Sequence, residues 1–559
     1  MKNSKLARTL GLTLTSALLL AACGNGGSDS TGESSSEGSE GSNDEQVLHL
    51  IETAEIPSMD STTSTDSVSN NVLNNVNEGL YRQGPENDLQ LGMAAEEPTV
   101  SEDGLTYTFK IREDAQWSNG EPVTASDFVY AWQRLANPET AAEYAYMIDG
   151  IVTNASEILT GEMDPSELGV TAEDETTFVV ELAKPVPYFK DLLTLSMFFP
   201  LNEEYVTEQG NDYATNSDTI LYNGPFELTE WDGAGLSWSL EKNEDYWDAD
   251  VVKLDRIDVD AVKETSTALN LYNAGEADRM ILTGEYVQTK QGAPDLLSQA
   301  TSSVFYFKFN QERNGEETPL ANENIRKAIA MAFDKQSFSD TVLQNGSLPA
   351  NGLVPAELAV GPASNEDFRA ENGDLLSFDA EQAVEYFETG LDELGVESLT
   401  LEMLGDDTEN SKRSLEFMQS QLQSNLPNLT INLRNVPFKV RLDANSKQDY
   451  DIQLAGWGAD YADPINFLEL FETENGNNKS GFSNPEYDAL IERAQNDASD
   501  LEGRWEAMLE AEQILLDSAG IAPIYQRAYA VLEKDYVQDL VHHLTGAEYS
   551  YKWAYIEGK

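Results

Sequence analysis

Two hydrophobic periodicities interleave along almost the whole of this chain, which restricts it to architectures that mix sheet with helix. "VLHLIE" from Val47, "LTYTFKIRED" (Leu105–Asp114) and "TTFVVELAK" (Thr176–Lys184) alternate apolar and polar residues, as half-buried strands do. Between the last two, "TASDFVYAWQRLAN" sets Phe128, Val129, Trp132 and Leu135 on one helical face behind Thr124 or Ser126 as N-cap. "GPFELTEWDGAGLSWSLEKNEDY" (Gly224–Tyr246) reads as a hairpin turning at Asp232-Gly233-Ala234-Gly235. After "SSVFYFKFN" (Ser302–Asn310) helical spacing dominates. "NIRKAIAMAFDK" aligns Ile325, Ala328, Ile329, Ala332 and Phe333, and "DAEQAVEYFETGLDELG" opens with a capping box of Asp379 and Gln382. Two more helical patterns, Pro485–Ala498 and Glu502–Ser518, precede a strand-like C-terminal tail. No internal repeat is visible. The fold class read from these patterns is α/β.

At 559 residues the chain suits two or three domains, because single cores rarely grow past roughly 250–300 residues. Its 34 basic and 100 acidic residues give a formal net charge of −66. Nucleic acid is thereby excluded as a partner, since phosphate binding needs clustered Lys and Arg. The same acidity is the surface of a well-solvated protein.

The first residues read as a processing segment. Lys2, Lys5 and Arg8 precede the apolar "TLGLTLTSALLLAA", and "LAAC" ends at Cys23, the only cysteine. This box resembles a bacterial lipoprotein signal, which implies removal of residues 1–22 and diacylation of Cys23. Residues 23–45 are Gly, Ser and acidic, an apt flexible tether with an rms span of roughly 25 Å. The expected location is therefore the outer face of a cell membrane, with the anchor and tether suggesting a Gram-positive cell. No later apolar stretch is long enough to span a bilayer.

One stretch carries candidate chemistry. "YDIQLAG" alternates as a buried strand, and "GWGADYADP" (Gly456–Pro464) follows with turn residues at both ends. Asp460 therefore lies just past a strand end, between Trp457 and Tyr461, on the kind of loop that carries binding groups. Asp463, before Pro464, reads as a turn or helix-capping residue. Catalysis finds little footing. There is no Gly-x-Ser-x-Gly, and the three histidines, His49, His542 and His543, lack metal-ligand spacing. The adjacent His542 and His543 are expected at the surface.

Several segments together resemble the oligopeptide-binding, extracellular solute-binding proteins of peptide ABC transporters. They are "NEGLYR" (Asn77–Arg82), Leu105–Ile148 with "WSNGEPVTASDF" at its centre, "YNGPFELTEWD" (Tyr222–Asp232), "NIRKAIAMAFD" (Asn324–Asp334) and "YDIQLAGWGADYADPINFLELF" (Tyr450–Phe471). The resemblance implies a two-lobed periplasmic-binding-protein-like fold of class II with an extra domain on the first lobe. Lobe I would comprise 46–79, 201–308 and 525–559, the extra domain 80–200, and lobe II 309–524. Crossings between lobes are expected near Phe305–Asn310 and Ile521–Tyr529.

The resemblance also implies a role for each candidate. Asp460 would pair with the free α-ammonium group of a bound peptide, shielded by Trp457. Gly456, Trp457 and Gly458 would offer backbone groups to the peptide main chain. Tyr144 and Ser67 would approach from the opposite wall. Some family members carry a basic residue two places before the Gly-Trp pair, gripping the carboxylate of short peptides; here Leu454 stands there. The expected function is therefore non-enzymatic: capture of oligopeptides and delivery to membrane permease subunits, by a monomer without cofactor or metal. A receptor for a signalling peptide, and a surface peptidase or adhesin, are the alternatives.

Overall fold

Ten strands and one short addition build a single large sheet in the computed structural model, which describes residues 45–186, 188–496 and 500–559. The expected leader, Cys23 and the tether up to Asp44 lie outside the described residues. The strands are β1 (Val47–Glu52), β2 (Phe226–Thr229), β3 (Ser237–Lys242), β4 (Arg256–Ala261) and β5 (Arg279–Leu282). They continue with β6 (Leu296–Phe309), β7 (Leu399–Asp406), β8 (Leu429–Val436), β9 (Ile452–Trp457) and β10 (Ile521–Glu533). Their order across the sheet is β8-β7-β9-β6-β10-β5-β1-β4-β3-β2, with Leu348–Pro349 pairing onto β10.

The expected hairpin is β2–β3, antiparallel with Leu228 opposite Leu240. β1 runs parallel to β4, and β7 parallel to β8 with the helix Glu409–Asn425 between them. Parallel neighbours need such crossovers, which explains why helical and strand-like patterns interleave in the sequence. β6 and β10, 14 and 13 residues long, are antiparallel and serve both halves of the sheet. One end of the pair meets β5 through β10, with Leu282 opposite Ala530. The other meets β9 through β6, with Leu454 opposite Phe307. Their register breaks between Ala300 and Val304. Both segments expected to cross between lobes fall on this pair.

A separate antiparallel sheet of four strands (Thr99–Val100, Thr106–Lys110, Thr177–Glu181, Val170–Asp174) packs under the helix Ala125–Ala136. The helix begins at Thr124, which forms a capping box with Asp127, and sets fully buried Phe128 and Trp132 5.4 and 5.5 Å from Phe178. A second apolar core, around Phe307, Ile325, Met418 and Ile524, fills the half of the sheet built by β7, β8 and β9.

Two local expectations are corrected. Asp379 caps the helix Ala380–Leu394 alone, accepting from the Glu381 and Gln382 amides, and no bond returns from exposed Gln382. His543 is not at the surface. It is buried because both ring nitrogens find partners, Nδ1 with Asn87 and Nε2 with Ser550.

Candidate functional site

The site grows from β9 and the turn that ends it. β9 pairs antiparallel with β6 along its length, from Ile452 opposite Phe309 to Trp457 opposite Val304. Its other edge meets β7 only at Ile452 and Gln453. From Leu454 to Trp457 that edge has no strand neighbour among the described residues. Gly456 is required where it stands, because a Cβ there would lie 2.8 Å from the Phe305 ring. Gly456 and Gly458 are exposed, so the backbone here is reachable.

Asp460 follows in the turn. Its Oδ1 accepts a long bond from Tyr144 Oη (3.4 Å) and its Oδ2 one from Asn466 Nδ2 (3.0 Å). No Lys, Arg or His among the described residues pairs with it. Burial pushes its carboxyl up to about 7, outweighing the opposing pull of the Asn466 and Tyr144 bonds. An unpaired carboxylate in such a setting is a ready partner for a cation.

Sequence reasoning missed the residue that holds this loop. Fully buried Asn466 accepts from the Asp460 amide (2.8 Å) and from Trp457 Nε1 (3.3 Å) while donating to Asp460. A lone amide inside the apolar run "INFLELF" was the available signal. Asp463 accepts from the Ile465 amide, as a turn residue does, and also takes a two-pronged ion pair from Arg504, both contacts at 2.9 Å.

The opposite wall comes from the first half of the chain. Tyr144, buried, stacks on Trp457 with centroids 5.8 Å apart and on Tyr146 at 5.9 Å. Ser67 is exposed at the start of the helix Ser67–Val76, which Asp66 caps by accepting from the Ser69 amide. The six candidates Ser67, Tyr144, Gly456, Trp457, Gly458 and Asp460 all line one cavity of about 390 Å³, and Leu454 lines it too. This is within the usual range for small-ligand sites, roughly 300–1,000 Å³.

Further charged groups on the wall were invisible to motif reading. Glu52 is pushed up to about 7 by burial, and Asp66 to about 6. Arg527 is paired with Glu548, and Arg279 with Glu533.

Comparison with known proteins gives this geometry a context. Residues 89–479 match the family model described as "Bacterial extracellular solute-binding proteins, family 5 Middle". The chain belongs to this family. As a family-5 solute-binding protein it is 34% identical to the "Dipeptide-binding protein" of Lactococcus lactis subsp. cremoris, covering 100% of both chains. It is similar to the solved structure of Listeria monocytogenes OppA bound to peptide (48% identity, TM-score 0.90, 92% of this chain and 100% of that one). It is also similar to the pheromone receptor PrgZ (38% identity, TM-score 0.87, 92% and 100%). The resemblance read from the sequence is thus shown, together with the two-lobed α/β binding-protein fold.

Proposed function

We propose that this protein is the extracellular, lipid-anchored substrate-binding component of a peptide importer. It captures oligopeptides between its lobes and delivers them to a membrane permease. The observation that carries this reading is the edge of β9 from Leu454 to Trp457, free among the described residues and running directly into Asp460, which no described cation pairs, inside one cavity. A free strand edge takes an extended peptide by main-chain hydrogen bonds, giving affinity with little dependence on side chains. Asp460 then receives the peptide's α-ammonium group, and Trp457 with Tyr144 excludes water around the pair. The stack of Tyr144 on Trp457 joins segments 313 positions apart in sequence, which suits a cleft closing about β6 and β10. The protein acts as a monomer, held to the membrane through lipid on Cys23, and catalyses no reaction.

Calorimetric titration with a free-amine peptide and its N-acetylated counterpart tests the assignment. The acetylated form is expected to bind at least about 30-fold more weakly, since breaking a desolvated charge pair typically costs about 2–5 kcal/mol. Equal binding of the two removes Asp460 from the site. Mass spectrometry of the same mixtures, finding no cleavage products, separates capture from peptidase activity.

The similarity to a pheromone receptor favours a second reading, capture of a signalling peptide. Tight selection of a few sequences from a random peptide library supports it; broad binding supports nutrient uptake.

A further inference from the structure

Resting on the peptide-capture reading, we propose that Arg441 is the anion anchor of the same cavity and takes a carboxylate of the bound peptide. Arg441 lies on the helix Phe438–Ser446 and lines the cavity that Asp460 lines. Among the described residues its side chain makes no hydrogen bond and no ion pair. Its Nε is buried with no partner, and its guanidinium rests 4.9 Å over the ring of Phe438. Asp406 and Asp66 act on it only from beyond ion-pair distance.

Three other cations on this wall are paired with acids. Lys263 is paired with Glu55 and Asp407, Arg279 with Glu533, and Arg527 with Glu548. With 34 basic residues facing 100 acidic ones, an arginine left without an acid is not a product of composition. Leaving a partly buried guanidinium unpaired is costly, and burial holds its pKa below the usual value. A ligand that supplies the missing acceptor removes that cost.

A second basic group lies near it, its amine lowered to about 7 by burial. Lys308, on β6, also lines the cavity and has only neutral partners, the Asn445 side chain (3.3 Å) and the Asn477 carbonyl (3.1 Å). The carboxylate is the ligand chemistry that fits. The planar guanidinium fork matches it with two parallel bonds, and Asp460 on the same cavity calls for a ligand carrying an amine as well. Leu454, on β9 in the same cavity, offers no such charge, and Arg441 supplies it from the helix.

Two sources share the chemistry: the C-terminal carboxylate, and an Asp or Glu side chain at one position along the peptide. The test titrates wild type, Arg441→Met and Arg441→Lys with free-acid and C-terminally amidated peptides of three to six residues. A second series carries a single Glu scanned along an amidated, otherwise neutral peptide. Because Arg441 makes no side-chain hydrogen bond or ion pair among the described residues and only rests over Phe438, R441M is expected not to lower the unfolding midpoint. Wild type should prefer one carboxylate form by about 30-fold, near 2 kcal/mol at about 1.4 kcal/mol per tenfold. R441M should erase that preference, and R441K should restore part of it. A preference for free acid over amide identifies the C-terminus; one that follows the position of Glu identifies a side chain. If R441M discriminates as wild type does, or wild type shows no preference in either series, the anchor is refuted while peptide capture stands. If wild type binds no peptide of either series, both readings fall.

Discussion

Capture of an ammonium group by Asp460 should release a proton, and the structure fixes the sign and window of that linkage. In the unliganded protein burial holds the Asp460 carboxyl at about 7 instead of its ordinary 3.8. At pH 6 about nine in ten molecules therefore carry a protonated Asp460. The bound ammonium favours the carboxylate, so binding must expel that proton. Below pH 7 the dissociation constant should then rise, approaching tenfold per pH unit well into the acid range and totalling about 16-fold between pH 7 and 5.5, or about 1.6 kcal/mol. Above about pH 8 the peptide amine itself loses its charge and affinity falls again. Optimal binding is thus expected between pH 7 and 8. Calorimetry at pH 6 in two buffers of different ionisation enthalpy counts the protons, and close to one per peptide is expected. Other groups on the cavity wall titrate nearby: Glu52 at about 7, Asp66 at about 6 and Lys308 at about 7. Asp460→Asn is therefore the control, and it should flatten the acid limb. An acid limb of equal steepness in D460N, or a flat one in wild type, would refute the reasoning.

Asn466→Ala strands the Asp460 amide and frees the loop, at a cost of about 2–4 kcal/mol for the lost buried hydrogen bonds. Urea unfolding should report the loss, and peptide affinity measured where N466A is fully folded should fall as well; unchanged affinity would show that the loop holds its shape without this amide. Stability of the unliganded protein should decrease from pH 5 to 7. Asp460, Glu52 and Glu472 are raised by burial to about 7, Glu469 to about 8 and Asp66 to about 6. The native state therefore binds more protons than the unfolded chain in that window. His543, lowered to about 4 by burial, works in the opposite direction but is outnumbered. The melting temperature should be higher at pH 5.5 than at 7.5, and the reverse order would contradict the burial of these carboxyls.

The candidate site was legible where its signal was local. The alternation of "YDIQLAG" and the turn residues of "GWGADYADP" placed Asp460 past a strand end, because strand period and turn chemistry are properties of adjacent residues. Membership of the family was legible for the same reason, in short contiguous motifs. The missed features depend on contacts between distant segments. Asn466 reads as an oddity in an apolar run until its three bonds to the loop are seen. His543 reads as a surface residue until Asn87, 456 positions away, arrives beside it.

By itself the sequence determined the α/β class, the strand leading to Asp460 and the candidacy of that acid, all written in residues that neighbour one another. Only the tertiary structure decided that β7 leaves the edge of β9 free after Gln453. It alone brought Tyr144 across 316 positions to Asp460 and left Arg441 facing the cavity without an acid partner among the described residues. Whether a strand edge or a charge finds a partner is settled by everything else that packs around it, and no local pattern encodes an unfilled place.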